Sequence, residues 1–82
     1  MHYRLIIIDE AKRKLRLLPE EIKQEIGYRL FLLEDNLAGD IKKLKGSKNE
    51  FRLRVGVYRV IFELEGQTIT VYDVGHRKDI YR

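Results

Sequence analysis

Three arginines, Arg52, Arg54 and Arg59, stand where they could bind one phosphate together. Apolar and charged residues alternate through EFRLRVGVYR at 50–59, and this period of two predicts β-structure with one buried and one charged face. If residues 56–57 form a two-residue hairpin loop, Arg54 lies directly opposite Arg59 and the apolar residues share the other face. Like charges directly opposite each other destabilise a sheet. We therefore predict that this face binds an anion, because guanidinium groups match the geometry of phosphate.

The net charge of the chain, +4, is concentrated in residues 42–59. That segment holds seven Lys or Arg against one Glu, a net charge of +6, and the flanking segments carry −1 each. Such a cluster is the electrostatic footprint of a protein that binds a polyanion. The alternative interpretation of the lysines at 42–48 is an ordinary solvated surface, whereas the arginines lie on a strand that fixes their direction.

A basic sheet face of this kind suits single-stranded RNA, because splayed bases stack on aromatic rings and phosphates bind arginine. We expect the ring to come from Tyr72, although the alternative is an ordinary exposed strand tyrosine. Metal-free RNA cleavage can use the 2′-hydroxyl as nucleophile, and it then needs a base, an acid and cations around the transition state. Arginine supplies cations but is a poor base. His76 and Tyr81 are the acid or base candidates, although a lone histidine beside a strand end is more often structural.

The composition excludes several classes of protein. With 82 residues, 44% hydrophobic and 37% charged, the chain fits one small folded domain spanning 1–82. The absence of cysteine excludes disulfides and thiolate sites, and two distant histidines do not indicate zinc, so we predict no metal and no cofactor. No apolar run approaches the roughly 20 residues of a membrane span, and the N-terminus lacks a signal-peptide pattern. We therefore expect a cytoplasmic protein with no membrane partner.

The first half of the chain predicts one strand and two helices. Residues 3–8 are apolar and β-branched, which predicts a strand buried on both faces or central in a sheet. Asp9 then suits a helix N-cap. Apolar residues recur at spacings of three and four, but Pro19 divides the pattern because proline suits a first helical turn. The predicted helices span about 10–17 and 19–36, and the second ends at Gly39 and Asp40.

The second half predicts a lysine-rich connector at 41–49 and three antiparallel strands. A turn at residues 65–66 precedes the last strand at 68–74, and a two-residue loop there places Arg59 opposite Tyr72. The predicted fold is α+β with the order β-α-α-β-β-β. A helical hairpin packs on one face of a mainly antiparallel sheet, and the other face stays open and basic.

Three segments together resemble the RelE-type toxins of the RelE/ParE superfamily, which belong to type II toxin–antitoxin pairs. They are LKG at 44–46, FRLRVGVYRVIFEL at 51–64 and VGHRKDIY at 74–81. The resemblance covers nearly the whole chain and implies the microbial-ribonuclease-like fold of that family. It also implies ribosome-dependent cleavage of mRNA in the decoding site. There the 2′-hydroxyl attacks the adjacent phosphate and leaves a 2′,3′-cyclic phosphate and a 5′-hydroxyl.

The resemblance carries functional roles onto matching residues of this chain. Arg59 and Arg77 would stabilise phosphate charge, and Tyr81 would stack on a base or transfer a proton, so these three are the expected catalytic residues. His76 stays a possible acid or base. The residues expected to bind RNA are Lys43, Lys45, Arg52, Arg54 and Tyr72. The best-known relatives have lysines at the positions of Arg52 and Arg54, so the general base is left unassigned.

The resemblance also implies partners. They are a cognate antitoxin protein, the 70S ribosome with its mRNA, and operator DNA only indirectly through the antitoxin complex. Two alternatives stay open. One is a ParE-like inhibitor of DNA gyrase, which would share the fold without needing these side chains for RNA chemistry. The other is a catalytically silent homologue that only binds an antitoxin.

Overall fold

The computed structural model describes residues 2–80. Its elements are β1 (Arg4–Ile7), α1 (Asp9–Arg16), α2 (Glu20–Asn36), β2 (Asp40–Lys43), β3 (Glu50–Val55), β4 (Tyr58–Glu65), β5 (Thr68–His76) and α3 (Arg77–Ile80). The predicted α+β fold is confirmed, with one additional strand and a single-turn helix. None of the helices within residues 2–80 is long and apolar enough to cross a membrane.

The five strands form one sheet in the order β1-β5-β4-β3-β2. β1 runs parallel to β5, and the other neighbours are antiparallel. β1 is therefore an edge strand, and the prediction of a central strand buried on both faces is wrong. Its apolar run instead alternates, since Leu5 and Ile7 pack against the core while Ile6 is exposed.

The two helices cover one face of the sheet. α1 begins at Asp9 with Ile8 in the N-cap position, so Asp9 lies in the first turn rather than at the cap. Its carboxylate is still suited to that place, because the N-terminus of a helix carries partial positive charge. Pro19 occupies the N-cap of α2 and separates the helices as the sequence predicts. The buried core between the helices and the sheet consists of Ala11, Ile26, Leu30, Leu33, Leu53, Val55, Val60, Phe62, Ile69, Val71 and Val74.

The predicted helix at 19–36 ends where α2 ends, but Gly39 and Asp40, which were expected to stop it, lie beyond its cap. The helix ends at Asn36, where Leu37 caps it in the left-handed conformation. The chain then passes close to β3, since a Cβ on Gly39 would lie 2.7 Å from Leu53 Cδ1. This turn releases Asp40 from the helix and makes it the first residue of a strand.

β2 occupies part of the segment that the sequence predicts to be a connector. It pairs antiparallel with β3, with Asp40 opposite Arg54 and Lys42 opposite Arg52. Only Ile41 of this strand packs against the core, so the segment lacks the apolar alternation that would reveal a strand. Lysine-rich, short edge strands of this kind resist pairing with other chains.

The hairpin between β3 and β4 has the predicted register. Arg54 lies opposite Arg59, and the loop consists of residues 56–57. The predicted register between β4 and β5 is wrong, because the loop consists of residues 66–67. Gly66 takes the first loop position with a φ of 61°, which a side chain would disfavour there.

A β-bulge adds to that difference. Ile61 pairs with Asp73 and Phe62 with Val71, so Tyr72 has no residue directly opposite it. Arg59 therefore faces Gly75, and its predicted pairing with Tyr72 is wrong. The bulge does change the pattern of β5, because the buried residues Ile69 and Val71 are two apart whereas Val71 and Val74 are three apart.

Candidate nucleic-acid interface

A basic cleft lies on the sheet face away from the helices. Its volume is about 670 Å³, and it is open to solvent. Six cationic side chains and one leucine line it: Lys42, Lys43, Leu44, Lys45, Arg52, Arg54 and Arg59. We call this site the basic cleft. It joins the predicted arginine face to the predicted lysine connector.

The strand register explains why these side chains converge. Asp40, Arg54 and Arg59 form one row across β2, β3 and β4. Lys42 lies opposite Arg52 in the next row on the same face, because side chains two residues apart on a strand point the same way. The sheet therefore places two rows of charged side chains a few ångströms apart.

Arg59 is the buried cation of the basic cleft. Its side chain is only 8% exposed, and Nη1 donates hydrogen bonds to the carbonyl oxygens of Gly56 at 2.9 Å and Tyr58 at 3.0 Å. The guanidinium is therefore anchored on its own hairpin turn. A charge held this way loses little further conformational freedom when an anion binds.

Arg52 and Arg54 share one carboxylate. Arg54 Nε lies 2.7 Å from Asp40 Oδ2, and Arg52 Nη1 lies 4.0 Å from Asp40 Oδ1. The Arg54 side chain is 56% exposed, whereas that of Arg52 is 14% exposed. The contact of Asp40 with the arginines was not predicted, because the sequence pattern places this residue at a helix end. Only the pairing of β2 with β3 brings its carboxylate to the arginines.

The lysines of the cleft lie on β2 and the turn that follows it. The Leu44 amide donates to the Glu50 carbonyl at 2.8 Å, and the Ser47 amide donates to the Leu44 carbonyl at 3.3 Å. Ser47 Oγ in turn accepts a hydrogen bond from the Glu50 amide at 3.2 Å. This closed turn holds Lys43 and Lys45 at the rim of the basic cleft, where both are exposed.

Tyr72 lies on the open face but does not line the basic cleft. Its hydroxyl donates a 3.0 Å hydrogen bond to Glu63 Oε1, and Glu63 lies opposite Glu50. That hydrogen bond raises the pKa of Tyr72, and desolvation and the nearby carboxylates add to the effect. The open face is thus divided into a basic half and an acidic half, rather than basic throughout as the sequence predicts.

His76 lies outside the basic cleft. His76 lines a second cleft of about 390 Å³ together with Lys14, Tyr58 and Asp73. Its Nδ1 accepts a hydrogen bond from the Lys78 amide at 3.1 Å, and its ring contacts that of Tyr58 edge-on. The structure therefore does not bring His76 to the three arginines of the basic cleft.

Arg77 comes close to the hairpin loop through its backbone. Its amide donates a 2.8 Å hydrogen bond to the carbonyl of Val57, the neighbour of the Gly56 carbonyl that Arg59 binds. The Arg77 side chain is exposed and is not among the residues that line the basic cleft. Tyr81 lies outside the described residues.

Known proteins resemble this chain over most of its length. The family model of the ParE toxin of type II toxin–antitoxin systems (parDE) matches residues 5–81. Toxin RelE3 of Methanocaldococcus jannaschii is 39% identical over 70 residues, which cover 85% of this chain and 73% of that protein.

Solved structures extend the comparison. The RelB–RelE antitoxin–toxin complex from Methanococcus jannaschii has a chain that matches with a TM-score of 0.80 and 35% identity, covering 93% of this chain and 94% of that one. A chain of the archaeal RelE–RelB complex from Pyrococcus horikoshii OT3 matches with a TM-score of 0.80 and 26% identity, covering 94% and 97%. These matches agree with the arrangement of strands and helices found here.

Proposed function

This chain belongs to the ParE toxin family of type II toxin–antitoxin systems as a RelE-type member, and we propose that it inhibits translation by cutting mRNA on the ribosome. The observation that carries the proposal is the basic cleft, in which Arg52, Arg54 and Arg59 converge from two strands. A cleft lined by six cations fits a phosphodiester backbone.

In the proposed reaction, the 2′-oxygen of one nucleotide attacks the adjacent phosphorus. The O2′–P bond forms and the P–O5′ bond breaks, which gives a 2′,3′-cyclic phosphate and a 5′-hydroxyl. A base takes the proton of the 2′-hydroxyl, and an acid gives one to the leaving 5′-oxygen. Negative charge grows on the phosphate oxygens, and the anchored guanidinium of Arg59 is suited to stabilise it without reorganising.

The remaining proposed roles follow the family resemblance. Arg52, Arg54, Lys43 and Lys45 would hold the phosphates on either side of the cut, and Arg77 and Tyr81 would complete the site. His76 faces the second cleft, so its position gives no support to a role as the acid. The raised pKa of Tyr72 keeps its phenol protonated, which does not suit a general base.

The ribosome enters the proposal through substrate positioning. The basic cleft supplies cations, and no histidine within residues 2–80 lines it. Binding and charge stabilisation are therefore what these residues offer. In-line attack also requires the 2′-oxygen, the phosphorus and the 5′-oxygen to be aligned, and a ribosome that grips mRNA would supply that alignment.

We further propose a cognate antitoxin as the partner of this chain, because the similar solved structures are complexes of RelE with RelB. An acidic segment of such a partner would complement the net charge of +6 in residues 42–59. Operator DNA would be bound only through that complex.

Inhibition of DNA gyrase is the second candidate, and the match to the ParE toxin model favours it. Two assays separate the candidates: pulse labelling of protein and DNA synthesis after induction in cells, and supercoiling by purified gyrase with the added chain. We expect protein synthesis to stop first and supercoiling to continue. Inhibited supercoiling with uninterrupted translation would instead favour the gyrase inhibitor.

A further inference from the structure

Within residues 2–80, Asp40 is the one carboxylate that forms ion pairs with Arg52 and Arg54 of the basic cleft. Asp40 lies at the edge of the sheet, in the same row as Arg54 and Arg59. Its two oxygens point to different arginines, with Oδ2 at 2.7 Å from Arg54 Nε and Oδ1 at 4.0 Å from Arg52 Nη1. A carboxylate beside the basic cleft weakens RNA binding by repelling phosphate, so its place there calls for a compensating role.

Asp40 contributes little to folding. Its side chain is 48% exposed, and it belongs to a four-residue edge strand whose polar residues face solvent. Exposed ion pairs add little to stability because water and salt screen them. What the contact does provide is direction: a long arginine side chain that is 56% exposed has many rotamers, and Asp40 selects one.

The contact leaves Arg54 able to bind an anion. The ion pair with Asp40 lies on the Nε side of the guanidinium, which has five N–H donors in all. Among residues 2–80, Asp40 is the one residue that forms an ion pair with the Arg54 side chain, and that side chain donates no hydrogen bond there. The two Nη groups therefore keep their donors for phosphate, in a direction that Asp40 fixes.

We propose that Asp40 is a positioning residue for RNA cleavage, which fixes the guanidinium of Arg54 and draws Arg52 toward it as a preformed phosphate clamp. This inference rests on the proposed nuclease function. It explains how Arg54 and Arg59 lie directly opposite each other, because each has a protein acceptor of its own. It also assigns a cost and a gain to the same carboxylate: weaker RNA binding and faster cleavage.

The proposal predicts opposite effects of one substitution on binding and on rate. Asp40→Asn and Asp40→Ala would bind single-stranded RNA more tightly, because the cleft loses a negative charge. The slope of log affinity against log salt would steepen by about 0.7, because the charge of Arg54, which Asp40 offsets in the wild type, becomes fully available to phosphate. At saturating enzyme, cleavage would slow by roughly 10- to 100-fold, since a loosely oriented guanidinium is misplaced in the transition state.

The experiment measures single-turnover cleavage of ribosome-bound mRNA and, separately, the affinity for a fluorescent single-stranded oligoribonucleotide at several salt concentrations. It compares the wild type with Asp40→Asn, Asp40→Ala and Asp40→Glu, and with Asp35→Asn as the control of equal charge change. Asp35 lies on α2, where it pairs with His2. Thermal unfolding of every variant reports whether it is folded. We expect Asp40→Glu to recover the cleavage rate. We expect the steeper salt slope only in Asp40→Asn and Asp40→Ala.

Three results would overturn the proposal. The first is that Asp40→Asn cuts as fast as Asp35→Asn. The second is that it loses binding and rate together with its folded structure, and the third is that it loses the acidic limb of the pH–rate profile. The last would make Asp40 the general base instead. If the wild type itself does not cut mRNA, the proposed nuclease function is rejected, and RNA binding alone then tests the phosphate clamp. In that case, an unchanged salt slope in Asp40→Ala would reject the clamp too.

Discussion

Arg54 and Arg59 lie directly opposite each other on β3 and β4, and each guanidinium is turned onto a different acceptor. Arg59 donates to the hairpin carbonyls of Gly56 and Tyr58, whereas Arg54 forms an ion pair with Asp40. The sequence predicts that an anion binds between these two cations, and this stays a prediction. The protein also supplies acceptors of its own, which hold both side chains in place.

Arg59 should matter for both stability and activity. Arg59→Ala removes a buried donor and leaves two turn carbonyls with fewer partners, so we expect it to lower the free energy of unfolding by about 1–3 kcal/mol. Cleavage should fall by at least about 100-fold. Urea denaturation and a cleavage assay measure the two effects.

Two further variants separate charge from geometry at this position. Arg59→Lys keeps the charge but lacks the planar fork, and we expect partial activity. Arg29→Ala removes an exposed arginine that pairs with Glu25 on α2, and its unfolding free energy should change by no more than about 0.5 kcal/mol. Full activity in Arg59→Ala would contradict the role given to this residue.

Two glycines should respond oppositely to alanine. Gly39→Ala places a Cβ 2.7 Å from Leu53 Cδ1 at a φ of 144°, and we expect a loss of about 1–3 kcal/mol in unfolding free energy. Gly27→Ala lies inside α2 with no atom within 4 Å of the new Cβ, and we expect a gain of up to about 1 kcal/mol. Chemical denaturation measures both changes. If the two substitutions changed the unfolding free energy equally, the chain at Gly39 would not pass as close to β3 as described.

Tyr72 should titrate above an ordinary tyrosine because its phenol donates to Glu63. The hydrogen bond is intact while the phenol is protonated, so its stabilising effect is complete below about pH 10 and is lost as the pH rises through the higher pKa of the folded state. Glu63→Gln should lower the pKa of Tyr72 toward its usual value. NMR of ring-labelled tyrosine measures this, with Tyr72→Phe to assign the signal; an unmoved titration would reject the contact.

Part of this architecture could be predicted from the sequence, and the rest could not, for physical reasons. The β3–β4 hairpin was predictable because apolar and charged residues alternate around Gly56. β2 was not, since backbone pairing rather than apolar burial holds that lysine-rich strand, and only Ile41 reaches the core. Asp40 was missed with it. The place of Tyr72 depends on a bulge, which shows in the sequence only as the change of apolar spacing from two to three between Val71 and Val74.

The rim lysines offer a test of the electrostatic part of the account. Lys43→Ala and Lys45→Ala should each flatten the salt dependence of binding to single-stranded RNA by about 0.7 in log–log slope, to a similar degree for different sequences. Lys12→Ala on α1 provides a control with the same loss of charge outside the cleft. Equal slopes for all three variants would place the RNA elsewhere on the surface.

The measurement that tests the central claim most directly is primer extension on a translated mRNA, with and without ribosomes, for the wild type, Arg59→Ala and Arg29→Ala. We expect cuts inside codons that require ribosomes, persist in Arg29→Ala and are lost in Arg59→Ala. No cuts with the wild type, while it still arrests growth, would contradict the nuclease function. Cuts that persist in folded Arg59→Ala would place the chemistry outside the basic cleft.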